Sequence, residues 1–199
     1  MRKLVIIGAS GHGKVVADIA RRNGYKEIVF LDDNDSIHEC GGYPVIGKST
    51  EAGTIDADVI IGIGNANVRK RIQESIPDEK LITLIHPNAV IAQNVKIGIG
   101  TVVMAGAVIN PGAKIGVGCI INTCASVDHD CVLEDFVHIA VGAHVAGTCT
   151  IGERTWIGAG ATVSNNIDIC ADCMVGAGAV VVQTIIEPGT YVGVPAKVI

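Results

Sequence analysis

Aromatic side chains are nearly absent: one Trp, two Phe and three Tyr in 199 residues. That poverty argues against a conventional globule and suits a fold of thin, closely stacked layers with little room for rings. Basic residues are outnumbered, 15 Lys and Arg against 20 Asp and Glu, for a net charge of −5. A nucleic-acid partner is therefore not expected. No long apolar run opens the chain. After Met1-Arg2-Lys3 only Leu4 to Ile7 is apolar before Gly8, too short for a signal segment or a membrane span. The expectation is a cytoplasmic protein without membrane association. Seven cysteines, an odd number, with no secretory context point to free thiols rather than a disulfide framework.

What is present is apolar and glycine-rich. Hydrophobic residues make up 49% and glycines number 25, enough for a sizeable core. The apolar residues are periodic. Every sixth residue from Ile85 to Val181, seventeen in all, is Ile, Leu or Val without a break in phase. Two residues before each comes a mostly small residue, such as Ala107, Ala113, Cys119, Ala125, Cys131, Ala143 and Cys149. Glycine often follows the apolar residue, as at Gly98, Gly116, Gly152, Gly158 and Gly176. This is the hexapeptide pattern of a left-handed parallel β-helix. Three hexads make one 18-residue triangular coil, and coils stack at about 4.8 Å.

The preceding residues read differently. Strands are expected over Lys3–Gly8, Ile28–Leu31 and Val59–Ile63. Helices are expected over His12–Asn23, with Val15, Val16, Ile19 and Ala20 on its buried face, and near Asn67–Glu74. Alternating strands and helices imply an α/β domain, about half of a Rossmann fold. The expected division is residues 1–82 for this domain and 83–199 for the β-helix.

The turn Gly8-Ala-Ser-Gly-His-Gly13 joins the first strand to the first helix, where backbone N–H groups can meet a phosphate. Its spacing is not the dinucleotide pattern G-x-G-x-x-G, and a plain strand-to-helix turn remains the alternative. Asp32 follows at a distance suited to a ribose hydroxyl.

Three of the six histidines cluster in the β-helix: His129, His138 and His144. His129 lies in Val127-Asp-His-Asp-Cys131, where a carboxylate beside it, Asp128 or Asp130, would raise its basicity and hold the ring. Histidine is suited to general-base work near neutral pH. One coil beyond, at 129 + 18, is Gly147, whose backbone N–H is a candidate oxyanion donor. His138 is nine residues, half a coil, from His129, so one site using both must lie between subunits. His129-Asp130-Cys131 and Cys170-Ala-Asp-Cys173 could be imagined as metal ligands. Cys131 and Cys173 occupy the small-residue slot, however, so packing explains them and no metal is expected.

The segments Gly8-Ala-Ser-Gly-His-Gly13, Phe30-Leu-Asp-Asp33, Ile63-Gly-Asn65, Leu84-Ile-His-Pro87, Asn122-Thr123, Val127-Asp-His-Asp-Cys131, Phe136-Val-His-Ile139 and Gly193-Val-Pro-Ala-Lys197 together resemble the sugar O- and N-acyltransferases of the sialic-acid O-acetyltransferase type. Within that family they are most similar to the UDP-4-amino-sugar N-acetyltransferases of the bacillosamine pathway. The resemblance spans essentially the whole chain. It implies a homotrimer with acetyl-CoA between neighbouring β-helices. It implies His129 as general base and Asp130 as its acidic neighbour, where family members often carry Glu. His138, with backbone at Ala159 and Ala177, would contact acetyl-CoA. Ser10, Gly11, His12, Asp32, Asp33 and Gly64 would hold the sugar nucleotide. The implied reaction is acetylation of the sugar 4-amino group. Sugar O-acetylation and a non-catalytic nucleotide-sugar-binding scaffold are the alternatives.

Overall fold

The structure, a computed structural model, describes residues 2–199. The chain divides into two units, one ending at Pro87 and the other Asn88–Ile199. The division falls at Pro87 rather than Ile82 for a physical reason. Leu81 bridges to Val59, the Ile82 N–H donates to the Val59 carbonyl at 3.1 Å, and the Asn23 amide donates to the Ile85 carbonyl at 2.9 Å. These bonds tie the connecting segment to the first unit.

The first unit is a three-stranded parallel sheet with helices. Its elements are β1 (Lys3–Ile7), α1 (Gly11–Arg22), β2 (Glu27–Leu31), a short hairpin of β3 (Glu39–Cys40) and β4 (Tyr43–Pro44), β5 (Asp58–Ile61) and α2 (Ala66–Gln73). The sheet order is β2-β1-β5. Leu4–Ile7, Phe30, Leu31 and Val59–Ile61 are almost wholly buried, as expected for continuous apolar strands covered on both faces. On α1, Val16, Ile19 and Ala20 face the core as expected. Val15 does not: it is 42% exposed, because one position before Val16 is rotated about 100° off the buried stripe.

The second unit is a parallel β-helix. Two-residue strands recur every six residues, and each pairs in parallel with the strand 18 residues away, as Ser126–Val127 does with His144–Val145. Three sheets result. One is six-stranded from Val90–Ile91 to Val180–Val181, one five-stranded from Lys96–Ile97 to Asp168–Ile169. The third carries Val102–Val103, Ile120–Ile121, His138–Ile139, Trp156–Ile157, Met174–Val175 and Thr190–Val192, and ends with Lys197–Val198, which pairs antiparallel to Thr190–Val192. From Val103 to Val181 the period-six residues are at most 5% exposed. Each such side chain contributes roughly 1.5–3 kcal/mol on burial, so regular stacking gains stability coil by coil. Ala107, Cys119, Ala125, Cys131 and Ala161 in the small slot are fully buried.

The recurring glycines mark where consecutive coils touch through backbone. A Cβ on Gly98 would lie 2.5 Å from the Gly116 carbonyl group, and one on Gly152 would lie 2.3 Å from the Ala171 nitrogen. Among the described residues no helix is long and apolar enough to cross a membrane.

Candidate active site

His129 stands in the turn between strands Ser126–Val127 and Val132–Leu133. Asp130 takes a left-handed backbone there, φ 58°, which sharpens the corner and lifts both side chains outward. Its N–H donates to the Pro111 carbonyl of the coil before at 3.1 Å, while the Thr148 N–H of the next coil donates to the His129 carbonyl at 2.9 Å. The corner is thus fixed from both sides.

The imidazole is held by its neighbours. His129 Nδ1 is 2.9 Å from Asp130 Oδ2. With the proton on Nδ1, Nε2 carries the free lone pair; this tautomer follows from the hydrogen bond. Asp128 Oδ1 accepts from the His129 N–H at 2.7 Å and from Asn110 Nδ2, one coil away, at 2.8 Å. The hydrogen bond to Asp130 raises the His129 pKa above its ordinary value, and the two carboxylate charges add to the rise. The same backbone bond holds the Asp128 carboxyl below the usual carboxylate range. Gly147 lies where the 18-residue arithmetic puts it. A Cβ there would sit 2.5 Å from His129 Nε2, so only glycine leaves the ring its place.

His138 lies elsewhere on the prism. It opens a strand of the third sheet and is buried. Asn122 Oδ1 accepts from the Thr123 N–H at 2.8 Å, so its Nδ2 points at His138 Nε2, 3.1 Å away, and donates. His138 is then the neutral tautomer protonated on Nδ1. Its ring packs on Trp156, centroids 4.4 Å apart. The corner that follows this strand carries Ala159 and Ala177 in consecutive coils, both exposed. The Gly178 N–H donates to the Ala159 carbonyl at 2.9 Å. One side of the prism therefore brings together His138, Ala159 and Ala177, and another corner holds His129, Asp130 and Gly147. His144 joins neither: its Nδ1 meets Ser126 Oγ at 2.8 Å on an exposed face.

In the first unit the remaining candidates gather at the C-terminal edge of the parallel sheet. There the chain leaves β1 for α1 on one side and β5 for α2 on the other, the crevice in which open α/β sheets bind ligands. Ser10 stands at the N-cap position of α1 without a side-chain hydrogen bond to the helix, and the first turn holds no acidic residue, so the helix's positive end faces this edge. Ser10 and Gly11 are exposed and His12 is half-buried. Burial, and then the Arg69 charge, lowers the His12 pKa to about 4, so the ring is neutral at neutral pH. The two turn glycines differ. Gly13 is required by the protein itself, since a Cβ would fall 2.1 Å from the Gly8 carbonyl oxygen; a Cβ on Gly11 would meet nothing within 4 Å.

Asp32 ties the edge together. Its Oδ2 accepts from the Ala9 N–H at 2.7 Å and its Oδ1 from the Asn34 N–H at 2.9 Å. Asp33 accepts from the Ser49 N–H and hydroxyl, each at 2.9 Å, which lowers its pKa. Gly64 is fixed by the fully buried Arg69, whose Nη1 donates to the Ile63 and Gly64 carbonyls at 2.9 and 2.8 Å.

Comparison with known proteins matches both halves. Residues 3–76 fit the PglD N-terminal domain, and residues 148–183 the bacterial transferase hexapeptide family of six repeats. The acetyltransferase domain of PglB from Neisseria gonorrhoeae, solved with acetyl coenzyme A, is 42% identical over 100% of this chain and 99% of that one, with a TM-score of 0.94. The chain belongs to this family of sugar acetyltransferases. An asparagine-for-histidine variant of perosamine N-acetyltransferase from Caulobacter crescentus, in complex with CoA and GDP-perosamine, is 35% identical over 100% and 97% of the two chains, TM-score 0.94. UDP-N-acetylbacillosamine N-acetyltransferase of Bacillus subtilis is 38% identical over 113 residues, which is 53% of this chain and 52% of that protein. The match spans about half the length of that curated relative.

Several residues that shape the site carry no role in the sequence reading. Asn110 and Trp156 lie one coil from Asp128 and His138, so the arithmetic that finds Gly147 also reaches them. Arg69 has a weaker sequence signal: a cation three residues before Ile72 on the inner face of α2.

Proposed function

We propose that this chain transfers the acetyl group of acetyl-CoA directly to the 4-amino group of a UDP-linked amino sugar, with His129 as general base. The observation that carries the reading is the His129–Asp130 contact at 2.9 Å, which leaves Nε2 free beside Gly147. The amine nitrogen attacks the thioester carbonyl, and His129 Nε2 takes its proton. Backbone N–H groups, Gly147 among them, stabilise the tetrahedral oxyanion. The C–S bond breaks, His129 passes its proton to the departing sulfur so that CoA leaves as the thiol, and the sugar keeps an amide.

His138, Ala159 and Ala177 contact acetyl-CoA. Ser10, Gly11, His12, Asp32, Asp33 and Gly64 hold the nucleotide sugar, whose diphosphate suits the positive end of α1. The active species is a homotrimer acting in the cytoplasm. Relatives solved with acetyl coenzyme A, or with CoA and a nucleotide-linked amino sugar, support this assignment.

A thiol-release assay tests it. Acetyl-CoA is offered with a UDP-4-amino sugar, its 4-hydroxy counterpart, or a sialic acid. The wild type should release thiol with the amine, and His129→Ala should lower kcat by about 10²–10⁴ with unchanged circular dichroism. Release with the hydroxyl acceptors alone would make the protein an O-acetyltransferase. Wild-type turnover by His129→Ala would exclude His129 as the base.

A further inference from the structure

Cys170 and Cys173 flank the turn Ala171-Asp172 at a corner of the β-helix, and their sulfurs lie 3.5 Å apart. Asp172, with φ 59°, makes the turn tight. A four-residue turn keeps its outer Cα atoms within about 7 Å, close to the range a disulfide spans. A bond of about 2.05 Å requires the two sulfurs to approach by roughly 1.5 Å from their present 3.5 Å separation.

The two thiols differ in access. Cys170 is half-buried and Cys173 is buried in the small-residue slot. Burial, and then the hydrogen bond with Cys170, pushes the Cys173 thiol up to about 12. Cys170 is therefore the sulfur that an oxidant meets first, with Cys173 poised behind it. Cys131 and Cys149 are, by contrast, both buried, so neither presents a first sulfur to solvent.

The geometry points to a reversible dithiol–disulfide pair at Cys170 and Cys173, a modification site for hydrogen peroxide. The Cys170 thiolate attacks one peroxide oxygen. The O–O bond breaks, Cys170 becomes a sulfenic acid, and the other oxygen leaves as water. Cys173 then attacks the Cys170 sulfur. The S–S bond forms, the S–O bond breaks, and the oxygen leaves with the Cys173 proton as a second water. Two thiols lose two electrons and two protons, and one peroxide becomes two waters. An external dithiol reverses the step by exchange.

The test uses the native full chain, treated with hydrogen peroxide, quenched, unfolded, alkylated with iodoacetamide and digested for mass spectrometry. The peptide holding both cysteines should be lighter by two hydrogens and take no alkyl group, and dithiothreitol before alkylation should restore two. Cys170→Ser and Cys173→Ser should each abolish the two-hydrogen loss. The proposal is overturned if both cysteines remain fully alkylated after peroxide. It is equally overturned if Cys170 passes to the sulfinic acid without bridging to Cys173.

Discussion

In the proposed mechanism Asp130 sets the pH at which His129 can act. A general base works only when unprotonated, so activity falls as pH drops through its pKa. The Asp130 hydrogen bond raises that pKa and so moves the acid limb upward. Asp130→Asn keeps the shape and removes the charge. It should shift the acid limb of kcat/KM to lower pH and reduce the plateau, since a less basic imidazole accepts the proton less readily. Both proteins are measured with one acceptor, so the titration of the amine itself cancels. An unmoved limb would show that Asp130 does not tune His129. That a carboxylate would adjoin His129 was legible in the sequence, because adjacent residues need no fold to meet. The Asn110–Asp128 bond was not, because which of two carboxylates turns toward the ring depends on corner geometry that only the coil below supplies.

At the level of elements, stacked coils and glycine turns fix where side chains can stand. Gly147→Ala adds a Cβ 2.5 Å from His129 Nε2 and 2.6 Å from Cε1, so the imidazole must swing away. Gly147 has no positive φ, and alanine fits its backbone. The melting temperature should change little, while kcat should fall by up to about 10²-fold, the scale of a 1 Å misplacement. Wild-type kcat in this variant would mean that the ring is not held over Gly147 during turnover. At the other end of the chain, Gly11→Val places its side chain in open space toward the proposed ligand. KM for the sugar nucleotide should rise much more than KM for acetyl-CoA; equal rises would point to a folding defect. Gly13→Ala is the contrasting case. Its Cβ meets the Gly8 carbonyl oxygen at 2.1 Å, and thermal unfolding should report a loss of about 1–3 kcal/mol, typical of overpacking. The sequence motif treats these glycines alike, because their difference lies in what faces each one.

At the scale of the whole molecule, His129 and His138 occupy different sides of one prism, yet the proposed reaction uses both. A homotrimer resolves this if each site takes His129 from one subunit and His138 from its neighbour, and cyclic closure leaves no open filament. Light scattering should then give a trimer. Mixing His129→Ala with His138→Ala chains, unfolded and refolded together, should restore activity above the sum of the parents. A monomer, or mixed trimers no more active than that sum, would defeat the arrangement. His138→Ala alone keeps part of its turnover if its role is to order the cofactor, and rescue is judged against that background.

The sequence by itself determined the β-helix and the residues inside it. One apolar residue per hexad, repeated without slip, has a single way to be buried, so inward positions, small corners and the 18-residue partner of any residue follow by arithmetic. It also determined the α/β order of the first unit and placed its candidate residues at strand ends, since apolar strands alternating with helices have few arrangements. Tertiary structure alone decided the directions of polar side chains. Asp32 turns its carboxylate onto the Ala9 and Asn34 backbone, Asp33 onto Ser49, and Asn122 fixes the tautomer of His138. Arg69 lies fully buried beneath the Gly64 loop, where composition alone would put a cation in solvent. Apolar burial is set by period, which a linear chain displays. A hydrogen bond is set by distance and angle between residues far apart in sequence, and those exist only once the chain has folded.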